Sequence, residues 1–337
     1  MQKVLKQIIA RENLSENQMA AVMEAILRGQ ATDSQIGALM AGLAAKGETF
    51  EELAGAARAM RKHATRIHVM GASFDTCGTG GDGLSTFNIS TVTAFVVAAG
   101  GVTVAKHGNR SVSSKCGSAD VLETLGVNLG ASPDVVEEAI SEIGIGFLFA
   151  PTFHSAMRHA GPARTETGIR SIFNMVGPLT NPAGAQRQLL GVFAPELTEM
   201  FGQALRLLGT QRAMIVHGHD GLDEISVCAP TRATELKGGM LTTFDIDPTL
   251  YFDELAAPEE LAGGGPQENA AIARGILDGS ISGPKRNVVL INAGAALLVA
   301  EKVESLREGI GLAETLIDSG KAFKKLTALS RYTTENM

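Results

Sequence analysis

From Gly71 onward, short apolar runs typical of buried strands alternate with segments of helical periodicity. The strand-like runs cover residues 92–99, 102–105, 145–149, 213–217 and 288–292. Such alternation favours an α/β domain built on a mainly parallel central sheet. Because ligands bind at the carboxyl ends of parallel strands, we expect the functional residues in the loops that follow these runs.

Roughly the first 65 residues are predicted to be helical, because their apolar side chains recur at helical spacing. Three Ser or Thr residues are each followed three positions later by Gln or Glu, which is the spacing of a capping box: Ser15 with Gln18, Thr32 with Gln35, and Thr49 with Glu52. Gly29 and Gly47 follow two of the predicted helices. The pattern predicts a small antiparallel helical domain over residues 1–68, with residues 69–337 forming the large α/β domain. A purely structural or dimerising role is its simplest interpretation.

Composition restricts the function. The 337 residues are 45% hydrophobic and 19% charged, which excludes a disordered chain, and the net charge of −7 argues against nucleic acid or an anionic membrane as partner. Three widely spaced cysteines without a CxxC pair argue against a disulfide framework or a zinc ribbon. The N-terminus is too polar for a signal peptide, and the apolar run at 288–300 is too short to span a bilayer. We therefore expect a soluble cytoplasmic protein.

The most informative segment is DTCGTGGDGLSTFNIST, at residues 75–91. Gly78, Gly80 and Gly83 match the dinucleotide pattern GxGxxG, but that fingerprint also needs an acidic residue about 20 positions later. Lys106 stands roughly there, so a nicotinamide site is rejected. The glycines can still turn backbone N–H groups toward an anion, and the helix that NIST opens offers a phosphate site at its N-terminus. Asp82 would repel a bare phosphate and is expected to contact a metal ion or a ligand hydroxyl.

Two further segments follow predicted strands. KHGNRSVSS, at residues 106–114, holds two cations and three hydroxyls, which suits a phosphorylated ligand better than a solvated loop. HGHDGLDEIS, at residues 217–226, holds the adjacent carboxylates Asp223 and Glu224, a pair able to hold magnesium. A zinc site there lacks a correctly spaced third ligand, and a solvated acidic turn remains open. Together the segments point to a pyrophosphorylated substrate with Mg²⁺ on its leaving group.

These motifs resemble the anthranilate phosphoribosyltransferase family. The resemblance covers essentially residues 1–335 and rests on GTGGD at 78–82, NIST at 88–91, KHGNR at 106–110, GPLTNP at 177–182 and GLDE at 221–224. It implies transfer of the phosphoribosyl group from 5-phosphoribosyl 1-pyrophosphate to anthranilate with Mg²⁺, in tryptophan biosynthesis. It also implies a nucleoside-phosphorylase-type α/β domain, a central insertion near 162–180 that joins the helical domain, and a homodimer paired through that domain.

The resemblance also implies roles for individual residues. Lys106, Asn109 and Arg164 match catalytic positions; Gly78, Asn109 and Arg164 match anthranilate contacts; and Ser90, Asp223 and Glu224 match the magnesium site. The phosphoribosyl pyrophosphate site would be lined by Gly78, Gly81, Asp82, Thr86, Asn88, Ile89, Ser90, Thr91, Lys106, His107, Gly108, Asn109, Arg110, Ser111, Val112, Ser113, Ser114 and Ser118. A surface ion pair between Arg164 and Glu166 is the alternative for that arginine.

Two positions depart from the family pattern. Ser155 stands where the family has Pro, and Gly294 stands where it has Ala. Neither change touches the phosphate motifs. No obvious general base emerges, although His107 and His154 are candidates. The rival functions are a pyrimidine nucleoside phosphorylase and a non-catalytic nucleic-acid-binding relative. The first has no clear use for the acidic pair, and the second should be basic.

Overall fold

Four N-terminal helices form a bundle whose ends follow the predicted caps. The computed structural model describes residues 1–111 and 115–336, and the bundle comprises α1 (Gln2–Ile9), α2 (Glu16–Leu27), α3 (Asp33–Lys46) and α4 (Phe50–His63). All three predicted capping boxes are formed. Gly29 and Gly47 have φ of 70° and 88°, a conformation that favours glycine. The sequence prediction of these helix starts and ends is therefore confirmed.

A single mixed sheet organises the rest of the chain. Within the described residues its strands are β1 (Phe74–Gly78), β2 (Val104–Gly108), β3 (Ile145–Phe149), β4 (Arg187–Gly191), β5 (Arg212–Gly218), β6 (Thr231–Lys237) and β7 (Met240–Ile246). Their order is β3-β2-β1-β4-β5-β6-β7. Strands β1 to β5 are parallel, and β6 and β7 pair antiparallel at one edge. The predicted mainly parallel sheet is confirmed; the antiparallel edge was not predicted.

Helices cover the sheet. In chain order they are α5 (Ile89–Ala99), α6 (Ser118–Thr124), α7 (Pro133–Ile143), α8 (Ala150–Phe153), α9 (Gly161–Thr167), α10 (Ile172–Val176), α11 (Leu197–Leu207), α12 (Pro266–Leu277), α13 (Pro284–Val299), α14 (Leu306–Asp318) and α15 (Lys321–Glu335). Apolar residues between Ala160 and Leu179 share a buried cluster with α1–α4, and that cluster continues onto β4, β5 and α11. The segment that carries Arg164 therefore packs on the bundle.

The prediction of a strand is wrong for two of the five strand-like runs. Residues 92–99 lie in α5, the helix expected to begin at the NIST segment, and residues 288–292 lie in α13. Both helices are buried along most of their length. Burial on all sides removes the polar face that gives a surface helix its period, so an apolar run of this kind does not distinguish a strand from a helix. None of the helices in the described ranges is long and apolar enough to cross a membrane.

Candidate active site

The site lies where the order in which strands are added to the sheet reverses. From β1 the chain adds β2 and β3 on one side, and then returns to place β4 on the other side of β1. Such a switch point opens a crevice at the carboxyl ends of the two central strands. There Gly78, at the end of β1, pairs with Gly191, at the end of β4. Two segments meet at this crevice. One is the glycine loop, residues 78–88, which leads from β1 to α5, and the other is the acidic turn, residues 219–226, which follows β5.

The glycines of the first loop serve conformation and close approach. Gly80, Gly81 and Gly83 have φ of 63°, 78° and 78°, which side chains rarely adopt. A Cβ added at Gly78 would lie 2.7 Å from Oδ2 of Asp223. The Gly80 N–H donates to that same oxygen over 3.0 Å. The loop is therefore shaped to bring its backbone against the acidic turn.

The NIST segment begins α5 as expected, and its four side chains lie in different environments. Ile89 and Thr91 are buried, and their backbone N–H groups donate to Phe87 O over 2.8 Å and to Asn88 O over 3.1 Å. Asn88 is held by its own side chain, which donates to Cys116 O over 3.0 Å and accepts from Asn269 Nδ2 over 3.0 Å. Ser90 is half-buried. The Ser90 N–H acts to lower the pKa of the Glu224 carboxyl, against the larger effect of burial, and so relates the helix start to the acidic turn.

Lys106 is a buried cation beneath this helix start. The residue is 3% exposed, and its ammonium donates to Thr76 O over 2.5 Å and lies 3.5 Å from Ser90 Oγ. Burial lowers its pKa, while Asp75 and Glu224 act in the opposite direction. The charge therefore sits at the floor of the crevice and not on a solvated loop.

His107 and His154 form a second buried pair. Their rings lie 5.1 Å apart, and neither Nε2 atom has a hydrogen-bond partner in the described part of the chain. Burial lowers the pKa of His107 to about 3, with His154 adding to the effect, and lowers the pKa of His154 to about 4. Both rings are therefore neutral at pH 7, and their burial disfavours the protonated form.

The rest of the KHGNR segment turns outward. Asn109 and Arg110 are exposed, and Arg110 forms ion pairs with Asp120 over 2.9 Å and Glu123 over 2.8 Å. Ser118, which opens α6, donates to Asn109 O over 3.3 Å. The structure thus brings the predicted residues Gly108–Arg110 and Ser118 together, and the Ser111 N–H donates to Asp120. Val112, Ser113 and Ser114 lie outside the described residues.

The acidic turn presents two desolvated carboxylates. Glu224 is buried, and Asp223 is half-buried. Burial, together with the charge of Asp82, raises the pKa of Asp223 to about 7. Burial, together with Asp223, raises the pKa of Glu224 to about 8. Carboxylates crowded in this way are stabilised by a nearby cation.

This donor set fits magnesium. Two carboxylates and the Ser90 hydroxyl are hard oxygen donors of the kind that Mg²⁺ prefers, together with substrate oxygens and waters. Across the described ranges, no group of three or more His, Cys, Asp or Glu side chains is arranged to hold a metal ion by itself. The pair would therefore hold the ion jointly with a ligand. The zinc alternative weakens further, because His217 bonds to Val192 O and His219 pairs with Asp245.

Arg164 lies in α9, in the segment that packs on the bundle. Its guanidinium carbon is 5.5 Å from the ring centroid of Phe173, and burial lowers its pKa. Within residues 1–111 and 115–336 the guanidinium forms no ion pair, so the alternative pairing with Glu166 is not formed. An unpaired, half-buried guanidinium is well suited to bind a carboxylate.

Two site residues were missed by the sequence analysis. A Cβ at Gly191 would overlap the carbonyl oxygen of Asp223, so glycine is needed there. Arg170 donates to Gly81 O over 2.6 Å and stacks 3.9 Å above the Phe193 ring, which ties the glycine loop to the segment that carries Arg164. Both contacts join segments that are distant in sequence, so no local motif predicts them.

Two family models account for nearly the whole chain. The model described as "Glycosyl transferase family, helical bundle domain" matches residues 2–64, and that described as "Glycosyl transferase family, a/b domain" matches residues 70–323. The fold and the crevice thus define a glycosyl transferase of this two-domain class.

Relatives narrow the class. The anthranilate phosphoribosyltransferase of Syntrophobacter fumaroxidans is 64% identical over 100% of both chains. The crystal structure of the Thermus thermophilus anthranilate phosphoribosyltransferase superposes with a TM-score of 0.93 at 44% identity, covering 98% of this chain and 99% of that one. The Saccharomyces cerevisiae enzyme in complex with PRPP and Mg superposes with a TM-score of 0.89 at 28% identity, covering 98% and 97%. The chain belongs to the anthranilate phosphoribosyltransferase family.

Proposed function

We propose that the protein transfers the 5-phosphoribosyl group of 5-phosphoribosyl 1-pyrophosphate to the amine of anthranilate, releasing pyrophosphate, as a step of tryptophan biosynthesis. The observation that carries the proposal is the contact between the acidic turn and the glycine loop. Asp223 accepts from the Gly80 N–H over 3.0 Å at the switch point of the sheet, so carboxylates and anion-binding amides face the same crevice. That combination suits a magnesium-bound pyrophosphate.

The phosphate-binding role is assigned to the two loops after β1 and β2. The start of α5, at Ile89, Ser90 and Thr91, is assigned to this site, and Lys106 supplies a buried positive charge 3.5 Å from Ser90 Oγ. Because the Ile89 N–H donates to Phe87 O and the Thr91 N–H donates to Asn88 O, a phosphate would have to replace these acceptors to bind either amide. Gly78, Gly81, Asp82, Thr86, Asn88, residues 107–114 and Ser118 complete the proposed site. Because Arg110 is held by Asp120 and Glu123, and its backbone N–H donates to Asn109 Oδ1, it would have to exchange one of these acids for a phosphate.

Ser90, Asp223 and Glu224 would hold magnesium. When bound, the ion neutralises the negative charge that develops on the departing pyrophosphate. The chain's own part is to keep two carboxylates close together and desolvated, at the end of β5, where their raised pKa values make a cation favourable. Lys106 adds positive charge from below, which stabilises the same leaving group.

The aromatic acid is assigned to the opposite side of the crevice. Arg164, unpaired against Phe173, would bind the carboxylate of anthranilate, and the family resemblance assigns Gly78 and Asn109 to the same substrate. The anthranilate amine is a neutral nucleophile, so catalysis would rest on positioning and on stabilising the pyrophosphate. His107 and His154 carry an unpartnered Nε2 and remain the candidate proton acceptors, but burial lowers the pKa of each ring and so opposes proton uptake.

The organisation of the chain is part of the proposal. We assign residues 1–68 and the segment near 162–180 to a small helical domain, and residues 69–337 to the catalytic α/β domain; a closing motion between them would bring Arg164 toward the phosphate loops. We further propose a homodimer that pairs through the helical domain, in the cytoplasm.

Parallel assays separate the proposed function from its rivals. Purified protein is incubated with anthranilate, phosphoribosyl pyrophosphate and Mg²⁺ while anthranilate fluorescence and released pyrophosphate are followed; parallel samples contain uridine or thymidine with free phosphate, or labelled nucleic acid. The proposal predicts loss of fluorescence in equal molar amount to pyrophosphate release. Phosphorolysis of a nucleoside, or nucleic-acid binding without turnover, would overturn it.

A further inference from the structure

Asn292 occupies an unusual position in α13. The helix runs between Pro284 and Val299 through the core, and Asn292 is fully buried among apolar neighbours that include Ile291 and Ala293. A buried amide costs free energy unless its polar atoms are hydrogen-bonded. The bonds that it makes therefore indicate what it does in the fold.

Those bonds lead to the acidic turn. The Asn292 Oδ1 atom accepts from the Ile225 N–H over 3.0 Å, and its Nδ2 atom donates to Ile225 O over 2.8 Å and to Val288 O over 2.8 Å. One side chain thus pairs both backbone polar groups of Ile225. That residue directly follows Glu224, in an irregular turn outside the strands.

The turn is also fixed from the opposite side. The carbonyl oxygen of Asp223 packs against Gly191, where a Cβ would overlap it. Asp223 and Glu224 therefore lie between two fixed points, one on β4 and one on α13. Since the two carboxylates repel each other when ionised, a turn without these restraints could relieve the repulsion by moving one side chain toward solvent.

We infer that Asn292 is a positioning residue that holds Asp223 and Glu224 in the arrangement that binds the metal ion. The inference rests on the proposed function, because it takes these carboxylates as the magnesium site. Asn292 touches neither substrate nor metal, and it acts through the backbone of Ile225. Loss of a group that orients metal ligands typically weakens metal affinity by roughly 10- to 100-fold.

The test uses Asn292→Leu, which keeps the branched shape of the side chain and removes all three bonds. Mn²⁺ binding to the full-length protein is titrated by electron paramagnetic resonance in the presence of phosphoribosyl pyrophosphate, and substrate Michaelis constants are measured separately. Expected are a roughly 10- to 100-fold weaker Mn²⁺ affinity, a higher Mg²⁺ requirement for activity and an unchanged Michaelis constant for anthranilate. Leu297→Ala, a buried change in the same helix, is the control; it should lower the melting temperature and leave Mn²⁺ affinity unchanged.

The outcomes separate the two claims. Wild-type Mn²⁺ affinity in folded Asn292→Leu, or equal loss of affinity in Leu297→Ala, would overturn the positioning role while leaving the proposed function standing. A wild-type protein that binds Mn²⁺ and phosphoribosyl pyrophosphate but never consumes anthranilate would overturn the function alone. If Asn292→Leu fails to fold, Asn292→Ala replaces it, since its smaller side chain leaves room for water to bridge the Ile225 groups. The same loss of affinity, smaller in size, is then expected, and wild-type affinity would again refute the role.

Discussion

Lys106→Met removes the buried positive charge at the floor of the crevice. Methionine keeps a linear stem of similar length in a site where the lysine is 3% exposed. The ammonium already donates to Thr76 O over 2.5 Å and lies 3.5 Å from Ser90 Oγ, at the start of α5. A hydrogen bond from a charged group is worth about 1.5–3 kcal/mol, and about 1.4 kcal/mol corresponds to a factor of ten. We therefore expect the affinity for phosphoribosyl pyrophosphate to fall roughly 10- to 150-fold.

The structure adds a second expectation. Asp75, fully buried beside Lys106, accepts from Asn181 Nδ2 over 2.8 Å and from the His107 N–H over 3.1 Å. The Lys106 charge opposes the effect of burial, which raises the pKa of Asp75 to about 6. Without that charge, Asp75 should take up a proton at neutral pH, and the melting temperature should fall. Kinetics are therefore measured well below the midpoint of the variant.

Steady-state rates with each substrate varied in turn provide the assay. Lys325→Met is the matched control, because Lys325 is half-buried, donates to the Ile143 carbonyl and lies far from the crevice. The control should leave both Michaelis constants unchanged. If Lys106→Met raises only the Michaelis constant for anthranilate, or leaves that for phosphoribosyl pyrophosphate unchanged, the assignment of Lys106 to the phosphate site is wrong.

Two further changes probe other parts of the site. Arg164→Ala should raise the Michaelis constant for anthranilate, leave that for phosphoribosyl pyrophosphate nearly unchanged and reduce discrimination against aniline-like acceptors; an unchanged anthranilate constant contradicts the role. His154→Phe should alter the pH dependence of stability. Because burial lowers the pKa of His154 to about 4, the unfolded chain binds its proton first as the pH falls below the ordinary value of about 6.5. The free energy of unfolding of the wild type, measured by urea denaturation, should therefore fall by up to about 3 kcal/mol relative to that of His154→Phe between pH 6.5 and pH 4. A difference between the two proteins that does not change with pH would refute the neutral, buried ring.

The sequence predicts local features well, because they are set by neighbouring residues. The capping pair Thr32 and Gln35 determines the start of α3, and the run at residues 145–149 coincides with β3. The run at residues 288–292 was wrong because α13 is apolar on all sides and so lacks a readable period. The same burial conceals the function of Asn292, whose partners at Ile225 lie 67 positions away in the sequence.

The site is harder to predict, because it is assembled from distant segments. Motifs placed Asp223, Glu224 and Lys106 near an anionic ligand, yet nothing in the sequence indicates that Lys106 is buried beneath Ser90. The contacts of Gly191 with Asp223 and of Arg170 with Gly81 also depend on how the sheet brings β1, β4 and the turn after β5 together. These residues become visible only once the tertiary packing is known.

In the proposed reaction, the acidic turn and the glycine loop together bind a metal-bound pyrophosphate. The most direct measurement is anomalous scattering from a crystal grown with phosphoribosyl pyrophosphate and Mn²⁺, with an Asp223→Asn, Glu224→Gln double variant as the control. We expect a manganese peak within metal–oxygen bonding distance of Asp223 or Glu224 and of the pyrophosphate in the wild-type protein, and loss of that peak in the variant. A manganese ion bound to the pyrophosphate but remote from both carboxylates, or a peak that survives in the variant, would contradict the account.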